Sequence, residues 1–233
     1  MKSTPDNLEV LYEDNHIIAV NKQPSDIVQG DKTKDEPLSE IVKQYIKIKY
    51  NKPGNVYLGV IHRIDRPVSG VILFAKTSKA LTRLNKMFKD KNMQKTYWAV
   101  VEKGDIPNKG TIINYLRKTE KNNKSTAYKK EVPGSKLSEL SYTVKGKGDN
   151  YLFLEVLPKT GRHHQIRVQL SSIGTTIKGD VKYGARRSNK DLSVHLHARK
   201  IEFEHPVTKE QMLIKANPNT NDALWKEFTT ICK

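Results

Sequence analysis

The stretch HRIDRPVSG places the carboxylate of Asp65 between two arginines, Arg63 and Arg66. Nearby cations favour the ionised form of a carboxylate, and an ionised carboxylate can act as a nucleophile at neutral pH. The flanking residues are rich in Val, Ile and Leu, which predicts two strands joined by a tight connection that contains Asp65. An aspartate in such a turn also caps the backbone and pairs with a neighbouring arginine. The residue types alone leave both roles open.

A second group of reactive side chains lies in TGRHHQIRVQL, which contains Arg162, His163, His164 and Arg167. If this segment is helical, Arg167 lies three residues after His164 on a neighbouring face. The simplest interpretation is a basic helix surface that touches phosphate or solvent.

The sequence predicts neither a metal site nor a cofactor. His195 and His197 share one face of a strand, but no Cys or carboxylate stands beside them at ligand spacing. Ser69 in PVSGV lacks the Gly-x-Ser-x-Gly pattern of a hydrolase nucleophile. No phosphate-binding loop or dinucleotide fingerprint occurs.

Charge indicates the class of partner. Lys and Arg outnumber Asp and Glu by 42 to 25 in 233 residues, which gives a net charge of +17. Such an excess attracts polyanions, and nucleic acid is the obvious one. A solvated basic surface, or a coding bias that enriches Lys and Asn, would give the same composition. Scattered lysines favour sequence-independent contact with phosphate.

The surrounding patterns predict the elements that position these residues. Strands are expected at LEVLYEDNHIIAVNK, KTYWAVVEK, SELSYTVKGK, YLFLEVLP, LSVHLHARKIEFEHP and EQMLIKANP. Helices are expected at EPLSEIVKQYIKIKY, at SKALTRLNKMFKD with Ser78 as N-cap, from about His164 to Gly174, and around Trp225 and Phe228. Without regular β-α alternation, this order predicts an α+β fold with a mixed, largely antiparallel central sheet flanked by helices and loops. We expect residues 1–233 to form a single domain, with RKTEKNNKSTAYKKE as an exposed loop or hairpin.

The cysteine count and hydropathy suggest a compartment. Cys232 is the one cysteine, so no internal disulfide can form, which suits a reducing environment. No apolar run approaches the roughly 18 residues of a membrane span, and MKSTPDNLEV lacks an apolar signal segment. We expect a cytoplasmic protein, monomeric and without an obligate protein partner.

Several blocks, in order, resemble the RluA family of pseudouridine synthases. HRIDRPVSG is similar to the family's His-Arg-Leu-Asp-Arg-x-Thr-Ser-Gly signature, and LYEDNHIIAVNKQP resembles its opening strands and Asn-Lys-Pro loop. QKTYWAVV resembles its Lys-x-Tyr-x-Ala strand, and TGRHHQIRVQL its Thr-Gly-Arg-x-His-Gln-Ile-Arg-Val-His segment. IKGDVKYG and LHARKIEFEHP resemble two downstream blocks. The resemblance spans about residues 8 to 216.

The resemblance implies an isomerase that acts on structured RNA, ribosomal or transfer, without a cofactor. Such an enzyme breaks the C–N glycosidic bond of a flipped-out uridine, turns the uracil and rejoins it to the ribose through C5. The family likeness places the active site in a cleft across the sheet. In the position of Asp65 the family has its nucleophile, which attacks either the ribose C1′ or the uracil ring. The resemblance also makes Arg167 the ionic partner of this aspartate, and Tyr97 a ring that packs on the uracil with a role in proton transfer at C5.

The resemblance further assigns RNA-binding residues. Arg63 and Arg66 would contact the RNA, and Arg63 would lie beside the base and fill the gap left in the RNA stack. Neither arginine would suit pairing with Asp65 as well as Arg167 does. Arg162, His163 and the lysine-rich segment from Arg117 to Lys130 would recognise the substrate.

The chain departs from the family pattern at a few positions. Val68 replaces the motif threonine, and Gln169 replaces the histidine after Arg-Val. Gln23 and Ser25 stand where the family usually has proline and glycine, so the conformation of that loop is an open point. None of these changes affects Asp65.

Many relatives carry an S4-type RNA-binding domain before the catalytic domain, and we expect none here because the family strands begin near Leu8. The alternative function is a catalytically silent RNA-binding protein that acts as a chaperone for RNA folding. It would retain the basic surface, but it would have no need of Asp65, Tyr97 and Arg167 together.

Overall fold

A computed structural model describes residues 2–31 and 33–232 of the chain. These residues form eleven strands: β1 (Val10–Glu13), β2 (Ile17–Lys22), β3 (Gly59–Val60), β4 (Ser69–Ala75), β5 (Gln94–Glu102), β6 (Lys109–Thr119), β7 (Lys124–Tyr128), β8 (Lys136–Lys147), β9 (Tyr151–Pro158), β10 (Leu196–Glu204) and β11 (Gln211–Lys215). They also form four α-helices: α1 (Leu38–Lys49), α2 (Ser78–Lys89), α3 (Gln165–Ser172) and α4 (Ala223–Ile231). The predicted α+β class is confirmed. None of the helices in these two ranges is long and apolar enough to cross a membrane.

The chain divides into two compact units. The first unit comprises the described residues up to Lys95 together with Ala198–Pro218, and the second comprises Thr96–His197 and the described residues from Asn219 onward.

The sheet of the first unit has the order β1-β2-β4-β10, with β3 paired to β4 and β11 paired to β10. Strands β2 and β4 are buried almost throughout, which matches the apolar runs IIAV in β2 and VILFA in β4. Alternate residues of β4 face opposite sides: Val71 and Leu73 join α2 in one core, and Ile72 and Phe74 join α1 in the other. A helix therefore covers each face of this sheet.

The sheet of the second unit has the order β5-β9-β8-β6-β7, and every neighbouring pair is antiparallel. Trp98 and Phe153 contribute to an aromatic core with Trp225 and Phe228 of α4 on one face. On the other face, Val168 of α3 packs with Leu116 of β6. The two helices of this unit thus hold opposite faces of its sheet.

The lysine-rich segment RKTEKNNKSTAYKKE was expected to be an exposed loop or a hairpin, and most of it belongs to a hairpin. Strands β6 and β7 pair from Tyr115 opposite Tyr128 to Thr119 opposite Lys124, around a short 3-10 turn at Glu120–Asn122. The sequence patterns did not predict the long strand β6, because only part of it alternates between apolar and polar residues. We call Lys109–Tyr128 the β6–β7 hairpin.

The N-cap of α2 differs from the prediction by one residue. Thr77, not Ser78, is the N-cap: its backbone is extended and its hydroxyl accepts a hydrogen bond from the Ala80 N–H at 3.2 Å. The N-cap is the residue just before the first helical residue, and its side-chain oxygen accepts the hydrogen bond. Thr77 and Ser78 are adjacent and both carry a hydroxyl, so the sequence alone does not distinguish between them.

Gly70 explains the Ser-Gly pair after the aspartate motif. Its φ is +117°, and a Cβ at this position would lie 2.3 Å from the backbone oxygen of Ala198 in β10. Only glycine allows that backbone approach. The pair therefore opens β4 instead of ending a turn.

Candidate active site

Asp65 lies in the turn that leads into β4. The N–H of Val68 donates to the backbone oxygen of Asp65 at 3.0 Å, and the Asp65 side chain is half-buried. This placement agrees with the predicted position of Asp65 in a connection between two strands, although the first of them, β3, has only two residues.

His62 fastens the start of this segment to the sheet. Its Nε2 accepts a hydrogen bond from the Leu73 N–H at 3.0 Å, and its ring stacks on Phe88 with the centroids 5.1 Å apart. Burial lowers the pKa of His62 to about 3. The ring is therefore neutral at physiological pH, as an acceptor nitrogen requires.

Arg66 joins the aspartate turn to the loop after β2. Its Nε donates to the Ser25 oxygen at 3.1 Å, the Ser25 N–H donates to the Arg66 oxygen at 3.0 Å, and its Nη2 pairs with the Asp35 carboxylate. These contacts use Arg66 within the protein, so its role in RNA binding stays a prediction. Ser25 has a φ of 77°, a conformation that glycine adopts without strain and serine does not.

Lys22 is a buried cation near Asp65 that the sequence did not reveal. Its side chain is fully buried, and Nζ donates to the backbone oxygens of Gln23 at 2.8 Å and Arg66 at 3.0 Å. Burial lowers its pKa to about 7, while the charges of Asp26 and Asp65 act in the opposite direction. Lys22 thus links the loop after β2 to the aspartate turn, and in its protonated form it contributes positive potential beside Asp65.

We expect Lys22 to make stability depend on pH. Between about pH 7 and the value near 10.4 of an unfolded lysine, the unfolded chain binds a proton that the folded chain does not. The unfolding free energy of the wild type should therefore rise with pH in this window, by at most about 1.4 kcal/mol per pH unit from Lys22.

The measurement is urea unfolding of the wild type and of Lys22→Met at about pH 7 and about pH 9. Burial lowers the pKa of Lys95 and of Lys178 as well, so the difference between the two proteins isolates Lys22. An identical rise in both would show that Lys22 does not titrate in this window.

Arg167 is buried in the second unit. It projects from α3 with only 5% of its surface exposed, and its Nε and Nη2 donate to the two oxygens of Asp180 at 2.7 and 2.8 Å. Two parallel charge-assisted bonds fix the plane of a guanidinium. A basic helix surface facing solvent, one interpretation of this segment, does not describe Arg167.

Tyr97 points to the face of the second unit's sheet that α3 covers. Tyr97 lies opposite Val156, and Val156 lies opposite Tyr142, so these side chains share one face. By the same register this face includes Asn114, whose side-chain oxygen accepts from Gln169 of α3 at 3.1 Å. Trp98 belongs to the opposite face, as its alternation with Tyr97 predicts.

Arg162 and His163 precede α3. The N–H of Arg162 donates to Oε1 of Gln165 at 3.0 Å, and its exposed side chain donates from Nε to the Leu137 oxygen at 3.3 Å. The half-buried His163 ring stacks on His164 with centroids 3.8 Å apart. His164 has a φ of 53°, in the left-handed region, and is the N-cap residue of α3.

Residues 16–172 match the sequence profile described as RNA pseudouridylate synthase. This range covers more than half of the chain and includes Asp65, Tyr97 and Arg167. The chain belongs to the RNA pseudouridylate synthase family. The family resemblance seen in the sequence is confirmed, and with it the prediction that the protein is an enzyme, an isomerase.

Curated relatives agree with this placement. The tRNA pseudouridine synthase C of Vibrio parahaemolyticus is 31% identical over 97% of this chain and 95% of its own length. That of Pasteurella multocida is 32% identical over 96% of each. The ribosomal large subunit pseudouridine synthase C of Vibrio vulnificus is 34% identical over 89% of this chain, which corresponds to 64% of that protein.

Solved structures support the fold. Human RNA pseudouridylate synthase domain containing 4 superposes with a TM-score of 0.77 at 19% identity, covering 96% of this chain and 92% of its own. Human RNA pseudouridylate synthase domain containing 1 gives 0.75 at 20% identity, covering 98% and 90%.

The positions at which the enzyme departs from the family pattern have local structural roles. Gln169 is fully buried and donates to the Ile112 oxygen at 3.2 Å, so it fastens α3 to β6. Val68 is 2% exposed and is part of the interior. The sequence did not reveal that Lys22 lies near Asp65, or that Asp180 binds Arg167. Each stands in a block that resembles the family, but residue type alone does not reveal the cation or carboxylate that it meets.

Proposed function

We propose that the enzyme converts uridine to pseudouridine in RNA with Asp65 as the nucleophile. The family match over residues 16–172, with Asp65 in the turn before β4, carries the proposal. The ionised carboxylate attacks either the ribose C1′ or the uracil ring of a flipped-out uridine. The C–N bond breaks, the uracil turns, and C5 bonds to C1′. The bond between Asp65 and the substrate breaks, which regenerates the carboxylate, while the C5 proton leaves and N1 gains one. The product is an isomer, so no oxidant, reductant or group donor is consumed.

Arg167 is the proposed cation for this carboxylate. A desolvated carboxylate has a raised pKa unless a cation offsets the loss of water, and each pKa unit corresponds to about 1.36 kcal/mol. Support comes from the burial of Arg167 and from the bidentate contact with Asp180, which holds the guanidinium in one plane.

Tyr97 is the proposed platform for the uracil. A phenol ring can stack on a base, and its hydroxyl can assist removal of the C5 proton. The support is the position of Tyr97 in the second unit's sheet: it lies on the sheet face that α3 covers, and α3 is the helix that carries Arg167.

RNA binding is assigned to Arg63, Arg66, Arg162 and His163. Extracting a base from a stack costs a few kcal/mol, which phosphate contacts and stacking must supply. Arg63 is exposed beside the aspartate turn and is proposed to fill the gap that the base leaves. Arg162 is exposed before α3 and is proposed to bind phosphate.

Transfer RNA is the first substrate to test, and ribosomal RNA is the second. The relatives named tRNA pseudouridine synthase C match along nearly their whole length, whereas the ribosomal relative is matched over 64% of its length. The cytoplasmic, monomeric state predicted from the sequence stays a prediction.

The test uses purified protein and transcribed transfer and ribosomal RNA whose uridines are tritiated at C5. Because C5 loses its hydrogen when it bonds to the ribose, each turnover releases tritium to water. We expect release from at least one RNA. Tight RNA binding without release from any RNA would favour the silent RNA chaperone.

Salt should weaken RNA binding in a defined way. If the +17 charge supplies most of the affinity through counterion release, the logarithm of affinity falls linearly with the logarithm of salt concentration, by about 0.7 per phosphate contacted on single-stranded regions. A filter-binding titration between about 50 and about 200 mM salt measures this slope. An affinity that does not change with salt would contradict the electrostatic account.

A further inference from the structure

The block IKGDVKYG resembles the family, and of its residues the chemistry proposed above uses only Asp180. Its two chemically distinctive residues are Asp180 and Tyr183, and both contact Arg167. Asp180 binds the edge of the guanidinium through two hydrogen bonds, and the Tyr183 ring lies with its centroid 5.2 Å from the guanidinium carbon. A cation within about 6 Å of a ring face is attracted by the ring.

The backbone around Tyr183 fixes the ring. The N–H of Tyr183 donates to the Asp180 oxygen at 3.0 Å, in a 3-10 turn at Val181–Tyr183. The backbone carbonyl oxygen of Tyr183 accepts a hydrogen bond from the hydroxyl of Ser171 in α3 at 2.8 Å. Edge and face of the Arg167 guanidinium are therefore held by one short turn, which is itself bonded to the helix that carries Arg167.

The hydroxyl of Tyr183 reaches a different element. Its oxygen accepts the backbone N–H of Ser125 in β7 at 2.9 Å and lies 2.9 Å from Nδ1 of His164. Burial, and then the charge of Arg167, lower the pKa of His164 to about 2, so its ring is neutral and Nδ1 can accept the phenol proton. The Ser125 hydroxyl in turn donates to the His163 oxygen at 2.8 Å.

The Tyr183 hydroxyl therefore binds the β6–β7 hairpin, whose turn region is rich in lysine. Lys118 and Lys121 are exposed there, and Lys182, one residue before Tyr183, donates to the oxygens of Asn122 and Asn123 at 3.3 Å. The same tyrosine thus contacts the buried guanidinium with its ring and the lysine-rich hairpin with its hydroxyl.

We propose that Tyr183 is a positioning residue with two separable roles: its ring orients Arg167 for the reaction, and its hydroxyl holds the β6–β7 hairpin in place to bind RNA. This inference rests on the proposed function. It predicts that the two roles separate kinetically, because the ring acts on the chemical step and the hydroxyl acts on RNA affinity.

The experiment compares Tyr183→Phe, which keeps the ring, with Tyr183→Leu, which does not. The single-turnover rate at saturating enzyme reports the chemical step, and a binding titration reports affinity. For Tyr183→Phe we expect a rate within about twofold of wild type, and RNA affinity reduced about 10-fold by loss of a buried hydrogen bond. For Tyr183→Leu we expect the same loss of affinity and a further loss of about 10-fold in rate.

A second readout does not depend on Tyr183→Leu being folded. Without its acceptor, the Ser125 amide should exchange its hydrogen faster in Tyr183→Phe than in wild type, while the α4 amides should be unaffected. If Tyr183→Leu does not fold, Tyr183→Phe decides alone. Unchanged affinity and unchanged Ser125 exchange would overturn the proposal.

Tyr50→Leu is the matched control. Tyr50 is the C-cap residue of α1, and the centroid of its ring lies 5.0 Å from the ammonium of Lys76. The substitution therefore removes a tyrosine–cation contact in the first unit. Its rate and affinity should equal those of wild type. Failure of the proposed function is recognised separately, since wild type would then release no tritium. An active wild type with both Tyr183 variants equal to it would overturn this inference alone.

Discussion

Asp65→Asn is expected to abolish pseudouridine formation while leaving the fold and RNA binding intact. The amide lacks the nucleophilic, ionised oxygen, and loss of a nucleophile typically costs about 10⁴-fold or more in rate. Asparagine fits the turn before β4 nearly as well as aspartate does. RNA affinity should persist or rise, because a negative charge that repels phosphate is gone. Tritium release and a binding titration measure the two effects.

The control for this substitution is Asp90→Asn. Asp90 is a surface carboxylate at the end of α2, 3.3 Å from Lys86, and its replacement should leave turnover at the wild-type level. If Asp65 only capped a turn, Asp65→Asn would behave like the control. Robust turnover by Asp65→Asn would remove the nucleophile assignment.

Arg167→Lys is expected to reduce the single-turnover rate by about 10²- to 10³-fold, the usual consequence of removing one aligned electrostatic donor. Lysine keeps the charge but cannot make the two parallel bonds to Asp180, so the cation is no longer held in one orientation. RNA affinity should change far less, because the buried side chain cannot reach an RNA surface.

Thermal unfolding must accompany this measurement, since weakening a buried ion pair also lowers stability. Arg83→Lys is the control: Arg83 is a half-buried arginine in the first unit that donates to the Pro206 oxygen at 2.7 Å. It tests whether any Arg→Lys change slows the enzyme. A folded Arg167→Lys with the wild-type rate would show that the geometry of this cation is not needed.

The elements of the fold were largely predictable because local patterns specify them. The spacing of Leu38, Ile41, Val42 and Ile46 predicted α1, and all four are buried. KTYWAVVEK was predicted to be a strand, and the register of β5 places its adjacent residues Tyr97 and Trp98 on opposite faces, as the period of two requires. Strand β6 was not predicted. Its exposed positions include the apolar Ile113, which is 57% exposed, so the alternation of apolar and polar residues that indicates a strand is interrupted.

The polar partners of Asp65 and of Arg167 that the structure shows were not predictable from residue type or spacing. In the sequence, Lys22 is an ordinary lysine at the end of a predicted strand. Only the structure shows that it is buried and that its ammonium donates to the backbone oxygens of Gln23 and Arg66. Asp180 follows Arg167 by 13 residues, and only the return of the chain after α3 brings their side chains together. Such pairs depend on tertiary packing, which neither periodicity nor composition encodes. The family resemblance implied that Arg167 is the partner of Asp65, but it did not indicate the contacts that Lys22 and Asp180 make.

Mapping of pseudouridine across total RNA is the decisive measurement of whether this enzyme makes pseudouridine with Asp65. RNA is compared from cells that carry the gene, cells that lack it, and deletion cells complemented with wild type or with Asp65→Asn. We expect at least one position, in transfer or ribosomal RNA, that is pseudouridine with the wild-type gene and uridine both in the deletion and with Asp65→Asn. Identical maps in all four, or a site restored by Asp65→Asn as fully as by wild type, would contradict it.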